Sequence, residues 1–194
     1  MSDEIKGAKE HFRLFMEDLG LDLDDEHLRD TPRRVVESRF HEIFRGLNTN
    51  PREHLQTAFT ASGGDFVIVD GIQVKSMCAH HFLPFRGQAH IGYIPDEYEV
   101  GLSKLARVTD GYARRPQVQE RLTSQIADAV YEELDPVAVI VVIEAEHECM
   151  ALRGVQEPEA MTRTSALRGK AHPDHEDYKP GIKKEFFDLV GDGL

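Results

Sequence analysis

The sequence predicts an α+β protein, in which helix-forming and strand-forming segments occupy separate stretches of the chain. Apolar residues recur at helical spacing near the N-terminus and again in the middle of the chain. Between and after these stretches, FVIVDGIQVKSMC, FRGQAHIGYIP and VAVIVVIEAEHECMALRG are rich in β-branched residues or alternate apolar with polar residues. A length of 194 residues fits one structural domain. We divide it into an N-terminal helical region, residues 1–50, and a second region, residues 51–194.

The N-terminal region is predicted to form two helices. The first covers residues 3–19, and Gly20 offers a natural stop. The second begins near Asp30, a capping residue, Pro32 suits its first turn, and Gly46 is expected to end it. Residues 48–64 are polar and irregular, so they predict a connection outside the core.

The second region is predicted to begin with two strands, FVIVDGIQVKSMC and FRGQAHIGYIP, which pair as neighbours. Helices are expected over residues 101–113 and 118–134, separated at Pro116 because proline breaks a helix. The β-prone run VAVIVVIEAEHECMALRG and residues 161–167 predict further strands. The segment KKEFFDLV predicts a short C-terminal helix, and the polar residues 172–179 are expected outside the core.

Composition argues against several classes of protein. A formal net charge of -12 opposes nucleic-acid binding, which relies on phosphate neutralisation by lysine and arginine. No stretch approaches the roughly 20 apolar residues of a membrane-spanning helix, and the charged start MSDEIKGAKEHF lacks the order of a secretory signal. We therefore expect a cytoplasmic protein with neither a nucleic-acid nor a membrane partner.

Its two cysteines are too few for a disulfide scaffold, and a reducing compartment favours metal or thiol chemistry for them.

Two clusters of cysteine and histidine predict a metal site. Cys78 is followed by His80 and His81, and Cys149 lies two places after His147. Cys78, His81 and Cys149 offer zinc its preferred ligands and leave a fourth position for water, as a catalytic site requires. His80 and His147 are then candidates for proton transfer, because histidine titrates near neutral pH. The spacing alone leaves open a closed four-ligand structural site, and also buried cysteines without any metal.

Five separated segments resemble the GTP cyclohydrolase I family, in the family's order. They lie between about residues 30 and 169 and read DTPRRVVESRFHEIFRGL, SMCAHHFLPFRGQAHIGYIP, GLSKLARVTDGYARRPQVQERLTSQIA, EHECMALRGV and TRTSALRG. The resemblance implies the tunnelling fold (T-fold), an antiparallel sheet with helices on one side, and makes residues 51–194 the catalytic T-fold region. It also implies a homo-oligomer, a toroidal decamer with active sites at subunit boundaries.

The reaction implied by the resemblance is the zinc-dependent hydrolysis of GTP to 7,8-dihydroneopterin triphosphate and formate. This is the first step of pterin and tetrahydrofolate biosynthesis. The family pattern places Zn²⁺ on Cys78, His81 and Cys149, the same set that ligand chemistry suggests. Water activated by zinc attacks C8 of guanine, and the resemblance assigns proton transfer to His147 with His80 assisting.

A substrate site is implied as well. Glu120 is expected to accept hydrogen bonds from the N–H edge of guanine, with Gln119 beside it. Ser103 is expected near the ribose, as a proton carrier in the later rearrangement. The cations assigned to the triphosphate are Lys104, Arg107, Arg153 and Arg34, because arginine donates bidentately to phosphate. Without the resemblance, the charged residues on predicted helices would be read as solvated surface groups.

The chain departs from the family pattern at Ala79, where the family most often has glutamate. Loss of this carboxylate is expected to lower the proton affinity of nearby histidines and to alter activity or metal preference. The departure leaves open a rival function, a catalytically silent zinc-containing GTP-binding oligomer with a regulatory role. The retained His80, His147 and Glu120 argue against that rival.

Two further alternatives come from related chemistry. A nitrile reductase of deazapurine pathways shares the tunnelling fold, but it needs a nicotinamide cofactor and a nucleophilic cysteine, whereas both cysteines here are assigned to metal. The last alternative keeps the cyclohydrolase reaction and sends its product to a deazapurine or another pterin pathway.

Overall fold

A computed structural model describes residues 3–191 of the chain. The strands are β1 Ala58–Thr60, β2 Val67–Cys78, β3 Pro84–Ile94, β4 Tyr98–Val100, β5 Pro116–Gln117, β6 Ala138–His147 and β7 Met161–Gly169. The α-helices are α1 Asp3–Asp18, α2 Thr31–Ser38, α3 Leu102–Ala113, α4 Gln119–Leu134, α5 Glu148–Ala151 and α6 Pro180–Val190. A π-helix, Arg39–Ile43, and two 3₁₀ helices, Arg45–Asn48 and Pro51–Leu55, complete the helical segments described. The protein is therefore of the predicted α+β class.

The main sheet has five strands in the order β5-β2-β3-β6-β7. The pairs β2–β3, β3–β6 and β6–β7 are antiparallel, as predicted for β2 and β3. Strand β5 pairs in parallel with β2, through Met77 with Pro116 and Cys78 with Gln117. The expectation of a wholly antiparallel sheet is wrong at this edge. The short edge strand β5 tolerates Pro116, because proline has no N–H to donate and one side of an edge strand has no neighbouring strand.

The larger core lies between the sheet and helices α3 and α4. Alternate residues of β3 and β6, such as Ile91 and Val141, point towards these helices and are fully buried. They meet Leu105 of α3 and Leu122 of α4, which are also fully buried. Burying each such aliphatic side chain stabilises the fold by roughly 1.5–3 kcal/mol. This packing fixes the start of α4 against the end of β6, where the candidate site lies.

Helix α6 packs on the opposite face of the sheet. Its Ile182 and Phe186 join Ile140 and Val142 of β6 in a second buried cluster. Gly92 lies beneath the Phe186 ring, since a Cβ there would come 2.7 Å from that ring. Helices therefore cover both faces, and the expectation of helices on one side is wrong at this end of the sheet. The apolar residues Phe186 and Phe187 in KKEFFDLV predict the helix itself but not the face on which it packs.

The two N-terminal helices form as predicted, and Gly20 after α1 has a left-handed φ of 78°. The second is shorter than expected, because the chain continues beyond Ser38 as a π-helix. The expectation that residues 48–64 lie outside the core is wrong in part. Leu55 is fully buried against α3 and α4. A single apolar residue without periodic neighbours gives no sequence signal for that burial. No helix within the described residues is long and apolar enough to cross a membrane.

Candidate active site and metal centre

The turn between β2 and β3 carries half of the predicted site. Cys78 is the last residue of β2, and its N–H donates to the carbonyl of Leu83 over 2.8 Å. Its own carbonyl accepts from the N–H of Phe82 over 2.9 Å. Phe82 has a φ of 53°, a left-handed conformation that costs free energy in a non-glycine residue. The closed turn presents His80 and His81 to solvent at the end of the sheet, while Cys78 is buried.

The other half of the site follows the end of β6. His147 ends the strand and pairs in register with Phe85 of β3. Cys149 lies in the first turn of α5, so the strand-like setting expected for the second cluster holds for His147 and not for Cys149. Because β3 lies between β2 and β6, the start of β3 brings the two clusters together.

Cys78, His81 and Cys149 converge on one point. Their ligating atoms all lie within 4.8 Å of one another, the one group of three or more possible metal ligands found among the described residues. Sγ of Cys78 lies 3.9 Å from Nδ1 of His81. Two sulfur ligands and one nitrogen fit zinc, whose bonds to them are about 2.0–2.3 Å long, and three protein ligands leave one position open. The three side chains could therefore hold a metal ion, and they are ligands of the types that zinc prefers.

The thiol of Cys149 keeps its proton until a metal displaces it. Burial and a hydrogen bond with the sulfur of Cys78 raise the pKa of Cys149 above its ordinary value. Without a metal the thiol therefore stays protonated near neutral pH, although the charge of Arg153 opposes part of the shift. Because zinc binds the thiolate, metal binding at this site is coupled to proton release.

His147 is held rigidly beside the cysteines. Its ring stacks on that of Phe85, with centroids 4.6 Å apart and an angle of 9° between the ring planes. Its Nε2 lies 2.7 Å from Oε1 of Gln119. Burial lowers the pKa of His147 below its ordinary value, and the negative charge of Glu120 opposes part of that shift. His147 is therefore mainly neutral near pH 7, and its ring can accept a proton during a reaction.

A cavity of about 190 Å³ joins Cys78 and Cys149 to the start of α4. It is lined by Cys78, His80, Gln117, Val118, Gln119, Glu120, His147, Cys149, Met150 and Thr162. Glu120 lies in the first turn of α4 and is exposed. The cavity is smaller than the roughly 300–1,000 Å³ usual for small-molecule sites. It offers room for part of a nucleotide and not for all of one.

Arg153 is the predicted cation that reaches the metal ligands. It follows α5 on an exposed turn with Gly154, and its Nη1 lies 2.8 Å from Nε2 of His81. Arg153 lies shortly after Cys149 in the sequence, and this nearness places its cation close to the proposed ligands. Ala79, the departure from the family pattern, donates its N–H to the carbonyl of Gln117 over 2.8 Å, so its backbone ties the turn to β5.

The remaining predicted residues lie elsewhere in the chain. Ser103, Lys104 and Arg107 lie on the first turns of α3 and do not line the cavity. Arg107 instead borders a separate cavity of about 390 Å³, together with Arg45 and His54 among others. Arg34 is exposed on α2, where it pairs with Asp30 over 3.2 Å. Within one chain, the fold thus brings the proposed metal ligands close to Glu120, the predicted guanine-binding residue, but does not bring these cations there.

Some residues of the site carry no signal in the sequence. Phe85 supports the His147 ring, and Thr162 and Thr164 of β7 accept hydrogen bonds from Gln119. These contacts depend on the register between β3, β6 and β7. Local periodicity predicts the strands but not that register.

Comparison with known proteins identifies the family of the chain. A family profile described as GTP cyclohydrolase I matches residues 8–189. A GTP cyclohydrolase 1 from Carboxydothermus hydrogenoformans is 55% identical over 158 residues, which cover 81% of this chain and 82% of that protein. The enzyme of the same name from Mycolicibacterium vanbaalenii is 56% identical over 80% of this chain and 78% of its own. The one from Bacillus subtilis is 51% identical over 81% of this chain and 83% of its own.

A solved structure shows only a distant likeness. The archaeosine synthase QueF-Like in its apo form aligns with a TM-score of 0.46 and 16% sequence identity, over 56% of this chain and 97% of that chain. This similarity is too low to assign a fold family.

Proposed function

The chain belongs to the GTP cyclohydrolase I family, and from this membership we propose that it hydrolyses GTP to 7,8-dihydroneopterin triphosphate and formate with a zinc ion on Cys78, His81 and Cys149. The observation that carries the proposal is the convergence of these three side chains within 4.8 Å. Two of them, Cys78 and Cys149, line the same cavity as Glu120 and His147. Metal, base recognition and proton transfer therefore fall in one place.

Zinc supplies Lewis acidity that activates water near neutral pH. The protein residues do the rest of the hydrolytic step. Glu120 accepts hydrogen bonds from the N–H edge of guanine and orients the base, and His147 transfers a proton at the imidazole ring of the base so that C8 becomes more electrophilic. His80, exposed on the β2–β3 turn, assists in proton transfer.

The triphosphate requires cations that one chain does not place at the cavity. Arg153 lies beside His81, whereas Lys104, Arg107 and Arg34 lie elsewhere. We assign these three cations, with Ser103 near the ribose, to the site of a neighbouring subunit. The small cavity of about 190 Å³ supports a site completed by a second copy.

Mixed oligomers test the shared site. Arg107→Ala and Cys149→Ser chains each lack one half of a site, so each is expected to be inactive alone. Coassembly after joint unfolding and refolding should restore activity, because some sites then combine an intact metal half with an intact cation half. Mixtures that stay inactive, although wild-type mixtures recover, would place both halves in one chain.

The wider setting is also proposed. The tunnelling fold, the toroidal decamer, the cytoplasm and the first step of pterin and tetrahydrofolate biosynthesis all follow from the family. The net charge of -12 supports the absence of a nucleic-acid partner, and the site itself has no feature that calls for a membrane.

Product analysis tests the reaction directly. Zinc-loaded protein is incubated with GTP while formate and dihydropterin absorbance are followed together. Release of both products is the expected result. Formate with an opened ring and no pterin would limit the chain to the hydrolytic half, and GTP binding without either product would favour the silent oligomer.

A further inference from the structure

The side-chain amide of Gln119 is buried in a complete set of hydrogen bonds. Gln119 is the first residue of α4 and is 1% exposed. Its Nε2 lies 3.0 Å from the carbonyl of Ile143, 3.0 Å from the carbonyl of Thr162 and 3.2 Å from Oγ1 of Thr164. All three partners belong to β6 and β7. The amide therefore spans from the start of the helix to the two strands below it.

These partners decide which way the amide points. A backbone carbonyl only accepts hydrogen bonds, so the atom that faces Ile143 and Thr162 must be the amide nitrogen. The amide oxygen then faces His147, with Oε1 2.7 Å from Nε2. An amide oxygen also only accepts, so Nε2 of His147 must be the donor.

The orientation of His147 follows from two contacts of different kinds. The hydrogen bond to Gln119 fixes which nitrogen faces helix α4, and the stacked Phe85 ring, itself fully buried, fixes the ring plane. Among the described residues no hydrogen-bond partner lies at Nδ1. The neutral ring then has its proton on Nε2 and its free lone pair on Nδ1.

We infer that Gln119 is a positioning residue, which holds His147 so that Nδ1 is the nitrogen exchanging a proton with the substrate. The lone pair on Nδ1 accepts the proton that the attacking water loses, and Nδ1 then passes this proton to the imidazole ring of the base. This inference rests on the proposed function for the identity of the substrate. It gives Gln119 a different role from direct contact with guanine, because both ends of its amide are occupied by protein groups. A rotated or flipped ring would offer the wrong nitrogen, and misplaced proton-transfer groups slow a reaction without weakening substrate binding.

The hydrogen-bond network around Gln119 supplies a matched control. Thr123, one turn along α4 and 1% exposed, contacts Oγ1 of Thr164 over 2.6 Å and donates to the carbonyl of Gln119 over 2.8 Å. Thr123→Val removes buried hydrogen bonds from the same network without touching His147. Gln119→Met removes the amide with little change of volume.

The first test reads the histidine directly and needs no substrate. Nitrogen-15 spectra of histidine-labelled, zinc-loaded wild-type protein at about pH 8, where neutral histidine dominates, are compared with those of His147→Asn to assign the signals of His147. A protonated Nε2 and an unprotonated Nδ1 are expected. A protonated Nδ1 would overturn the inference even if the enzyme is fully active.

The second test separates positioning from substrate binding. Gln119→Met should lower kcat for GTP by roughly 10-fold or more, with KM within about 2-fold of wild type and the His147 nitrogen shifts moved towards the average of the two neutral forms. Thr123→Val should retain kcat and the wild-type signals.

Two results would contradict the inference. A raised KM at unchanged kcat would make Gln119 a substrate contact, and unchanged signals in Gln119→Met would show that Phe85 alone orients the ring. If wild-type protein makes no product, the proposed function fails while the spectra still test the orientation.

Discussion

Arg153 donates a hydrogen bond from its guanidinium to Nε2 of His81, over a distance of 2.8 Å. The other ring nitrogen, Nδ1, lies 3.9 Å from the sulfur of Cys78 and faces the proposed metal ligands. A cation assigned to the triphosphate is thus held by a residue assigned to the metal. A neutral histidine that binds zinc through Nδ1 carries its proton on Nε2, where it no longer accepts from arginine.

Zinc loading is therefore predicted to release Arg153 for phosphate. Tripolyphosphate should bind more tightly to zinc-loaded than to metal-free protein. In Arg153→Ala this gain in affinity should be smaller by roughly 5-fold or more, because a charge-assisted hydrogen bond to phosphate is lost. Calorimetry on the four combinations of metal and variant measures the coupling. Arg163→Ala is the control, since Arg163 is an exposed arginine of β7 paired with Glu144. An equal gain in wild type and Arg153→Ala would contradict the coupling.

Replacing Cys149 by serine should remove zinc and activity together. Serine keeps the shape of the side chain but is a poor ligand for zinc compared with a thiolate. We expect kcat/KM for GTP to fall by about 100-fold or more, with less zinc retained per chain by metal analysis. The fold should persist, because Cys149 lies at the edge of the main core, and circular dichroism checks this. Full activity at wild-type zinc content would remove Cys149 from the ligand set.

Glu120 is predicted to recognise the guanine base. Glu120→Gln replaces one acceptor oxygen with a donor, so the base loses an acceptor for its N–H edge, and KM for GTP should rise by roughly 10-fold or more. Glu132→Gln, an exposed glutamate on the same helix that pairs with Arg52 over 2.7 Å, controls for the loss of a helix charge. Equal kinetics in the two variants would indicate that Glu120 is a surface residue.

The partly buried His147 makes stability depend on pH. Burial lowers its pKa in the folded protein, whereas in the unfolded chain it titrates at about 6.5. Between these two values the unfolded chain binds more protons, so the free energy of unfolding falls as pH drops below about 6.5 and is unaffected by this group above it. Urea unfolding of metal-free protein at about pH 5.5 and 7.5 should show a smaller difference for His147→Asn than for wild type. The same pH dependence in both would mean that burial does not shift this histidine.

Local patterns predict the elements that position the site. The period of two in β2 and β3 and the helical period in α3 and α4 are visible over more than ten residues each, which makes them readable without tertiary information. Ligand chemistry likewise predicts the group Cys78, His81 and Cys149, whose atoms converge. Helix α5 escapes prediction because its four residues lie inside a β-prone run.

Long-range contacts decide what sequence patterns leave open. The parallel pairing of β5 involves only two residues, and the hydrogen bonds that orient Gln119 reach residues 24 and 43 positions away. The buried position of Leu55 depends on α3 and α4 folding over it. None of these features has a local period, so each is visible only once the sheet is assembled.

Zinc titration of the metal-free protein tests whether GTP hydrolysis depends on a metal at Cys78, His81 and Cys149. Formate release from GTP is measured after each addition of Zn²⁺, in wild type and in Cys149→Ser. Wild-type activity is predicted to rise from near zero and to saturate at about one zinc per chain, the capacity of one three-ligand site, whereas the variant is predicted to stay inactive over the same range. Formate release from rigorously metal-free wild type, or no release at full zinc occupancy, would contradict a zinc-dependent cyclohydrolase.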